Sequence, residues 1–231
     1  MSKRNEYPRR TLLGGSALAM ALFTTKGLFA EELFRTPSLT EGPYYPDKLP
    51  LDRDNDLIIV NNSITPAVGE ITHLTGRILS RSGSPVKNAT MEIWQCDANM
   101  VYINTRDSSA KQNQQDHNFQ GFGTFETGST GEYRFRTIKP VSYPGRPAPH
   151  IHIKIKLNGR EVLTTQLMVR GHQNNFRDSI FAQAGDWVDR ELVQADFIPI
   201  KESKIPEYRC NFDIVLGVTP DDAQMNPKRR S

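Results

Sequence analysis

In the stretch Tyr143-Pro144-Gly145-Arg146-Pro147-Ala148-Pro149-His150-Ile151-His152, a proline-studded loop runs into an apolar-polar alternation that continues through Ile153, Ile155 and Leu157. Period-two alternation is the mark of a strand with one buried face. Residues two apart share a face, so His150 and His152 project together while Ile151, Ile153 and Ile155 project to the other side. Two imidazoles on one face are half of a metal site, histidine being the commonest metal ligand; they are equally compatible with the polar face of an ordinary half-buried strand. Pro144, Pro147 and Pro149 fix φ at three points within six residues. That stiffens the entry loop and limits where Tyr143 can lie relative to the histidines.

Further strand signals flank this one. Upstream are Ile71 to Leu79, a turn at Ser82-Gly83-Ser84-Pro85, Ala89 to Cys96, and Glu132 to Ile138 after a turn at Thr127 to Gly131. Downstream, Val162 to Val169 reads as a hairpin partner across Asn158-Gly159, and Asn211 to Leu216 as the last strand. Only Asp178 to Ala184 reads as a short helix. Many short strands separated by turns predict an all-β fold, an antiparallel β-sandwich. Between them, Thr105 to Gly123 is polar and irregular, and an ordered loop of that length is usually functional. Residues 31–62 are Pro-rich and extended, which predicts an arm lying across the sandwich, with Tyr44 and Tyr45 in its middle.

With 231 residues and 37% hydrophobic content, the chain is expected to form one substantial domain. Its first thirty residues stand apart: basic residues, then a mostly apolar run from Leu12 to Phe23, then Gly27-Leu28-Phe29-Ala30. This is the order of an export signal, and Arg9-Arg10 before Thr11-Leu12-Leu13 resembles a twin-arginine leader. The apolar run is shorter than the roughly 20 residues needed to span a bilayer, so no stable membrane span is expected and the address is periplasmic or extracellular. The expected organisation is a signal over residues 1–30, an arm over 31–65, the sandwich over 66–220 and a tail over 221–231.

The leader's five Lys/Arg and one Glu, taken from 29 basic and 26 acidic residues, leave 24 and 25. The body is thus near neutral, with no basic stripe for nucleic acid. Cys96 and Cys210 are the two cysteines; an oxidising compartment permits a bridge between them, and spacing leaves that open.

Tyr102 lies beyond Ile93-Trp94-Gln95, and Tyr143 precedes the histidines by seven positions. Taken with Glu41-Gly42-Pro43-Tyr44-Tyr45, Gly76-Arg77-Ile78, the run Gly131 to Pro140, Tyr143-Pro144, Pro149-His150-Ile151-His152, Thr165-Gln166-Leu167 and Phe212 to Leu216, the chain resembles the intradiol ring-cleavage dioxygenases from Thr36 to Leu216. The resemblance implies a prealbumin-like sandwich. It further implies a ferric ion, Fe(3+), held by Tyr102, Tyr143, His150 and His152, and a catechol-type aromatic cleaved with O2 to a cis,cis-muconate-type diacid. It makes Tyr143 the ligand that leaves as a general base. Gln166 and Arg146 become candidates beside the reacting ring, and Tyr44 and Tyr45 of the arm candidates for lining the substrate site, a purely structural arm being the equal alternative. One departure is visible: the family's arginine stands three residues before the first histidine, where this chain has Pro147, and Arg146 is the nearest candidate. The body looks more like the protocatechuate-cleaving type than the catechol and hydroxyquinol branches, whose helical N-terminal linker has no counterpart here, and a homo- or hetero-oligomer is compatible with it. Two other readings compete: a non-catalytic prealbumin-like binding module, in which both tyrosines merely pack, and a His/Tyr site holding zinc or copper.

Overall fold

The computed structural model describes residues 32–61 and 63–217. The expected leader and the expected tail lie outside the described residues. Two five-stranded sheets pack face to face. The first contains β1 (Ile71–Ser80), β4 (Glu132–Ile138), β8 (Phe197–Pro199), β9 (Glu207–Asn211) and β10 (Ile214–Leu216). The second has the order β3 (Phe122–Glu126), β2 (Ala89–Trp94), β5 (His150–Leu157), β6 (Arg160–Val169) and β7 (Gln194–Ala195). Helices are short: α1 (Thr105–Ser108), α2 (Ser179–Gln183) and α3 (Trp187–Glu191).

The sandwich is as expected, but its sheets are mixed rather than antiparallel throughout. β1 pairs in parallel with β9 and β10, and β6 with β7. Parallel neighbours need a long crossover; the segment from Gly171 to Val193, with α2 and α3, provides it for β6 and β7. The expected last strand is broken into β9 and β10 at Phe212-Asp213. There Phe212 N–H bonds Thr75 O, and Asp213 Oδ1 accepts from Arg77 N–H. Gly76 sits against the break: a Cβ on it would lie 2.1 Å from Phe212 O.

The alternation in β5 works as read. Ile151, Ile153, Ile155 and Leu157 are buried in the main core with Leu74, Ile78, Met91, Ile93, Phe135 and Ile214. Tyr133 belongs to this core, its hydroxyl bonded to Phe212 O. The hairpin turn is Asn158-Gly159, both at positive φ as a two-residue turn of this kind requires. Cys210 lies in this core and Cys96 in a separate cluster, both as buried free thiols that burial pushes up to about 12. The expected arm is extended. Thr36, Leu39, Thr164 and Val215 exchange backbone bonds that lay it along both sheets, and Leu57 and Ile58 near its end are fully buried. No helix among the described residues is long and apolar enough to cross a membrane.

Candidate metal centre

Strand register builds one side of the site. Trp94, His152 and Gln166 are directly opposed on β2, β5 and β6, so their side chains share the face of the sheet that turns away from the main core. His150 stands one pleat further along that face. Its Nδ1 lies 2.7 Å from Ala148 O, so Nδ1 carries the proton and Nε2 presents a lone pair to the site. His152 stacks on Trp94, with centroids 4.8 Å apart and planes 9° from parallel.

The loop into β5 supplies Tyr143. In Tyr143-Pro144-Gly145-Arg146 the end residues bond each other in both directions, at 2.9 and 3.2 Å, and Gly145 has φ +87. Proline second and a positive-φ glycine third are what a type II turn needs. Arg146 is thereby tied to Tyr143 across the turn.

Tyr102 comes from the long loop after β2, and two buried carboxylates shape that loop. Asp97 accepts Asn99 N–H and Val101 N–H at 2.9 Å and Asp116 N–H at 2.7 Å. Asp107 accepts Tyr102 N–H at 2.9 Å and pairs with Lys111. Sequence reading missed both; their signal was the local Asp-x-Asn pattern at Asp97-Ala98-Asn99, a sign of side-chain to backbone bonding.

The four residues converge. Tyr102 Oη is 3.1 Å from His152 Nε2, 3.4 Å from Tyr143 Oη and 3.5 Å from His150 Nε2. Tyr102, His150 and His152 are buried, and Tyr143 is half-buried. Burial first, then Arg146, pulls His150 down to about 3, and burial together with His150 and Arg146 holds His152 well below the ordinary range. Burial pushes Tyr143 up to about 12 and Tyr102 well above 10.0. Without a cation all four are therefore neutral, with two imidazole lone pairs and two phenol oxygens facing one another. No three His, Cys, Asp or Glu side chains come together among the described residues, so a metal here must draw on tyrosine. Two phenol oxygens and two imidazoles fit iron(III), since hard anionic oxygen donors favour the ferric state and imidazole suits iron.

Gln166 and Arg146 meet beside this cluster. Arg146 Nη2 donates to Gln166 Oε1 at 2.7 Å, its Nε donates to Asp178 Oδ2 at 3.0 Å, and Gln166 Nε2 donates to Thr40 O at 2.8 Å. Burial opposes the charge on Asp178, but Arg146 and the backbone donors outweigh it and hold the carboxyl below its ordinary range.

The arm closes another side, with Tyr44 and Tyr45 packed on the same aromatic cluster in different ways. The Tyr45 ring packs on Trp94 and Phe122, its hydroxyl donates to Glu92 Oε2 at 2.9 Å, and Lys154 Nζ lies over its ring. The buried Glu92 carboxylate draws that hydroxyl away from the four converging side chains. Tyr44 is stacked on Tyr102 at 4.8 Å and edge-on to Tyr143. His73 pairs with Glu207, His117 is exposed, and neither these nor His172 joins the cluster. A cleft of about 640 Å³ between Arg77, Glu126, Arg134 and Asp213 includes none of the clustered residues in its lining.

Comparison with known proteins agrees with this geometry: the Dioxygenase family profile matches residues 40–217. The chain belongs to the intradiol ring-cleavage dioxygenase family. It is 34% identical over 175 residues to the protocatechuate 3,4-dioxygenase beta chain of Burkholderia cepacia, covering 72% of each chain. To the 6-chlorohydroxyquinol 1,2-dioxygenase of Cupriavidus pinatubonensis it is 31% identical, with 66% of this chain and 56% of that protein covered. Against the Candida albicans catechol 1,2-dioxygenase it spans 64% of that protein at 26% identity. Among solved structures, the dioxygenase domain of a Streptomyces sp. SirexAA-E dioxygenase carbohydrate-binding protein fusion superposes with a TM-score of 0.60 at 28% identity, over 80% of this chain and all of that one. The Tetranychus urticae intradiol ring-cleavage dioxygenase shares the fold, with a TM-score of 0.62 at 20% identity over 86% and 98% of the two chains. Within this family chain, the four clustered side chains are those on which the family resemblance places the metal ligands.

Proposed function

We propose that this intradiol-family chain opens a catechol-type ring between its two hydroxyl-bearing carbons. Both atoms of O2 enter a cis,cis-muconate-type diacid, with Fe(3+) held by Tyr102, Tyr143, His150 and His152. The observation that carries the reading is the approach of Tyr143 Oη and both imidazole Nε2 atoms to within 3.5 Å of Tyr102 Oη. When bound, ferric iron supplies Lewis acidity toward the catechol oxygens and draws electron density from the ring.

The chain's own residues do the rest. Tyr143, the more exposed of the two, would be a phenolate while it holds the cation, and its Oη would then take the proton given up by a substrate hydroxyl and become a neutral phenol. Arg146, held against Asp178 and Gln166, stabilises negative charge gathering on the substrate. Gln166, fixed by Arg146 and Thr40, orients its amide at the wall of the site. The arm around Gly42 and Tyr44 covers His152 and Tyr102 and keeps water off them.

The decisive test is the visible spectrum of iron-loaded protein before and after anaerobic addition of catechol, followed by exposure to 18O2. A tyrosinate-to-iron band, its shift with catechol, and a product carrying two labelled oxygens are expected. A loaded protein with no such band sinks the reading, and one labelled oxygen would make it a different oxygenase. The Arg9-Arg10 leader supports an extracytoplasmic site of action, which cell fractionation tests; protein confined to the cytoplasm would refute it. Likeness to a beta chain supports assembly with a second chain or copy, read from the mass in solution.

A further inference from the structure

We propose that Asp178 is a positioning residue that holds both Arg146 and the His150 ring in register for the reaction. This rests on the ferric reading of the cluster. The carboxylate is fully buried at the start of α2, and its two oxygens work in different directions. Oδ1 accepts Ile180 N–H at 2.9 Å and Phe181 N–H at 3.2 Å, which is helix capping. Oδ2 turns to the site, accepting Arg146 Nε–H at 3.0 Å and Ala148 N–H at 3.2 Å.

Each of those two bonds continues to a functional group. Ala148 is the residue whose carbonyl receives the His150 Nδ1 proton at 2.7 Å, so a bond to its N–H anchors the residue whose next peptide orients the ring and its Nε2 lone pair. Arg146 passes the constraint to Gln166 Oε1 at 2.7 Å, and Gln166 to Thr40 of the arm at 2.8 Å. One carboxylate thereby sets a ligand on β5, a cation on the entry turn and an amide on β6. Capping alone does not require this. Asp186 caps α3 in the same way, with Oδ1 accepting Val188 N–H at 2.8 Å and Asp189 N–H at 3.1 Å, and is itself exposed. Serine caps helices about as well as aspartate but is too short to reach Arg146 and Ala148 as well.

The test therefore compares Asp178→Ser with Asp186→Ser in the full chain. A capping role predicts that the two behave alike. Positioning predicts that Asp178→Ser alone loses catechol turnover by about 10–100-fold, the usual cost of removing a partner behind a metal ligand, and that the loss falls on kcat rather than KM. It should also release iron faster to a chelator. Because loss of the carboxylate leaves Arg146 without its ion pair, Arg146→Met and the double variant are measured too. If Asp178 acts on turnover through Arg146, the double variant is no slower than Arg146→Met alone; fully additive losses overturn that branch.

A readout free of iron is the imidazole NMR spectrum of the metal-free protein. The His150 Hδ1 resonance, protected by Ala148 O in the parent, should be lost in Asp178→Ser and kept in Asp186→Ser. If Asp178→Ser matches Asp186→Ser in kcat, iron release and this resonance, the inference is wrong while the ferric reading stands. If the parent has no tyrosinate band but the resonance still depends on Asp178, the ferric reading is wrong and the positioning of His150 stands.

Discussion

Acid should unfold the metal-free protein through its two buried imidazoles. His150 is held down to about 3 in the fold against an ordinary 6.5. As pH falls below 6.5 the unfolded chain takes up a proton that the folded chain refuses, so stability is lost from there downward, and the loss stops growing near the folded value. Each pH unit in that window is worth ~1.4 kcal/mol. Lowering the pH from 6.5 to about 4.5 thus removes ~2.7 kcal/mol through His150 alone, against a typical total of ~5–15 kcal/mol. His152 is depressed by burial, His150 and Arg146, and adds a loss of the same sign. Asp178 does not contribute here, because its carboxyl is held below an ordinary 3.8 and begins to matter only under that value. Asp97, raised by burial, works in the opposite sense. The assay is urea unfolding of metal-free protein at several pH values, with His150→Asn alongside, an amide that can still donate to Ala148 O. The parent should lose ~1.4 kcal/mol more per pH unit than the variant; parallel profiles would refute the burial argument.

Gly76→Ala puts a methyl carbon where Phe212 O stands, and the cost of that overpacking, about 1–3 kcal/mol, should appear as a lower urea midpoint at unchanged slope. Tyr45→Phe removes the hydroxyl bonded to Glu92 and should cost about 1 kcal/mol with KM for catechol unmoved. Tyr44→Ala, which strips the ring stacked on Tyr102, should move KM instead; steady-state kinetics on both variants separates the two tyrosines. Asp107→Ala leaves Tyr102 N–H and Lys111 without their carboxylate, expected to cost about 1–3 kcal/mol and to shift the visible band of the iron-loaded protein; an unshifted band would mean that the loop holds Tyr102 without Asp107.

Legibility followed the range of the interactions. The β5 alternation set the buried face and put His150 and His152 on the other one, because side-chain direction in a strand is a local property. The Asn158-Gly159 turn was legible for the same reason. The parallel pairing of β1 with β9 and β10 was not, since it joins segments more than a hundred residues apart and no local pattern records it. The single strand expected over 211–216 is interrupted at Phe212-Asp213, where Gly76 on another strand permits the close approach of Phe212 O. At the site, the two tyrosines were joined to the histidines only through resemblance, because Tyr102 and Tyr143 lie on loops whose direction depends on Asp97, Asp107 and the type II turn. Which of Tyr44 and Tyr45 stacks on Tyr102 was not legible for a comparable reason. Adjacent residues on an extended arm point in opposite directions, and which one meets the site is decided by Glu92 on β2.

The two faces of β5 show why such a site is hard to read from stability considerations. The inward face carries four aliphatic side chains in a closed core and favours folding. On the outward face His152 Nδ1 and Trp94 Nε1 are both buried and without a hydrogen-bond partner among the described residues, although their rings stack. With His152 Nε2 as a lone-pair donor, Nδ1 must carry the proton; indole nitrogen can only donate. Two donors thus lack acceptors, each at a cost of about 1–3 kcal/mol. His150, one pleat away, has its carbonyl, so the deficit is specific to one ligand. An imidazole without that bond is oriented by the indole stack and by whatever its Nε2 meets, so of the two imidazoles His152 is the one whose placement depends more on what faces its Nε2. The aliphatic face must therefore supply stability that the histidine face withholds, and the unbroken run of Ile151, Ile153, Ile155 and Leu157 is what makes a strand with such a face tolerable.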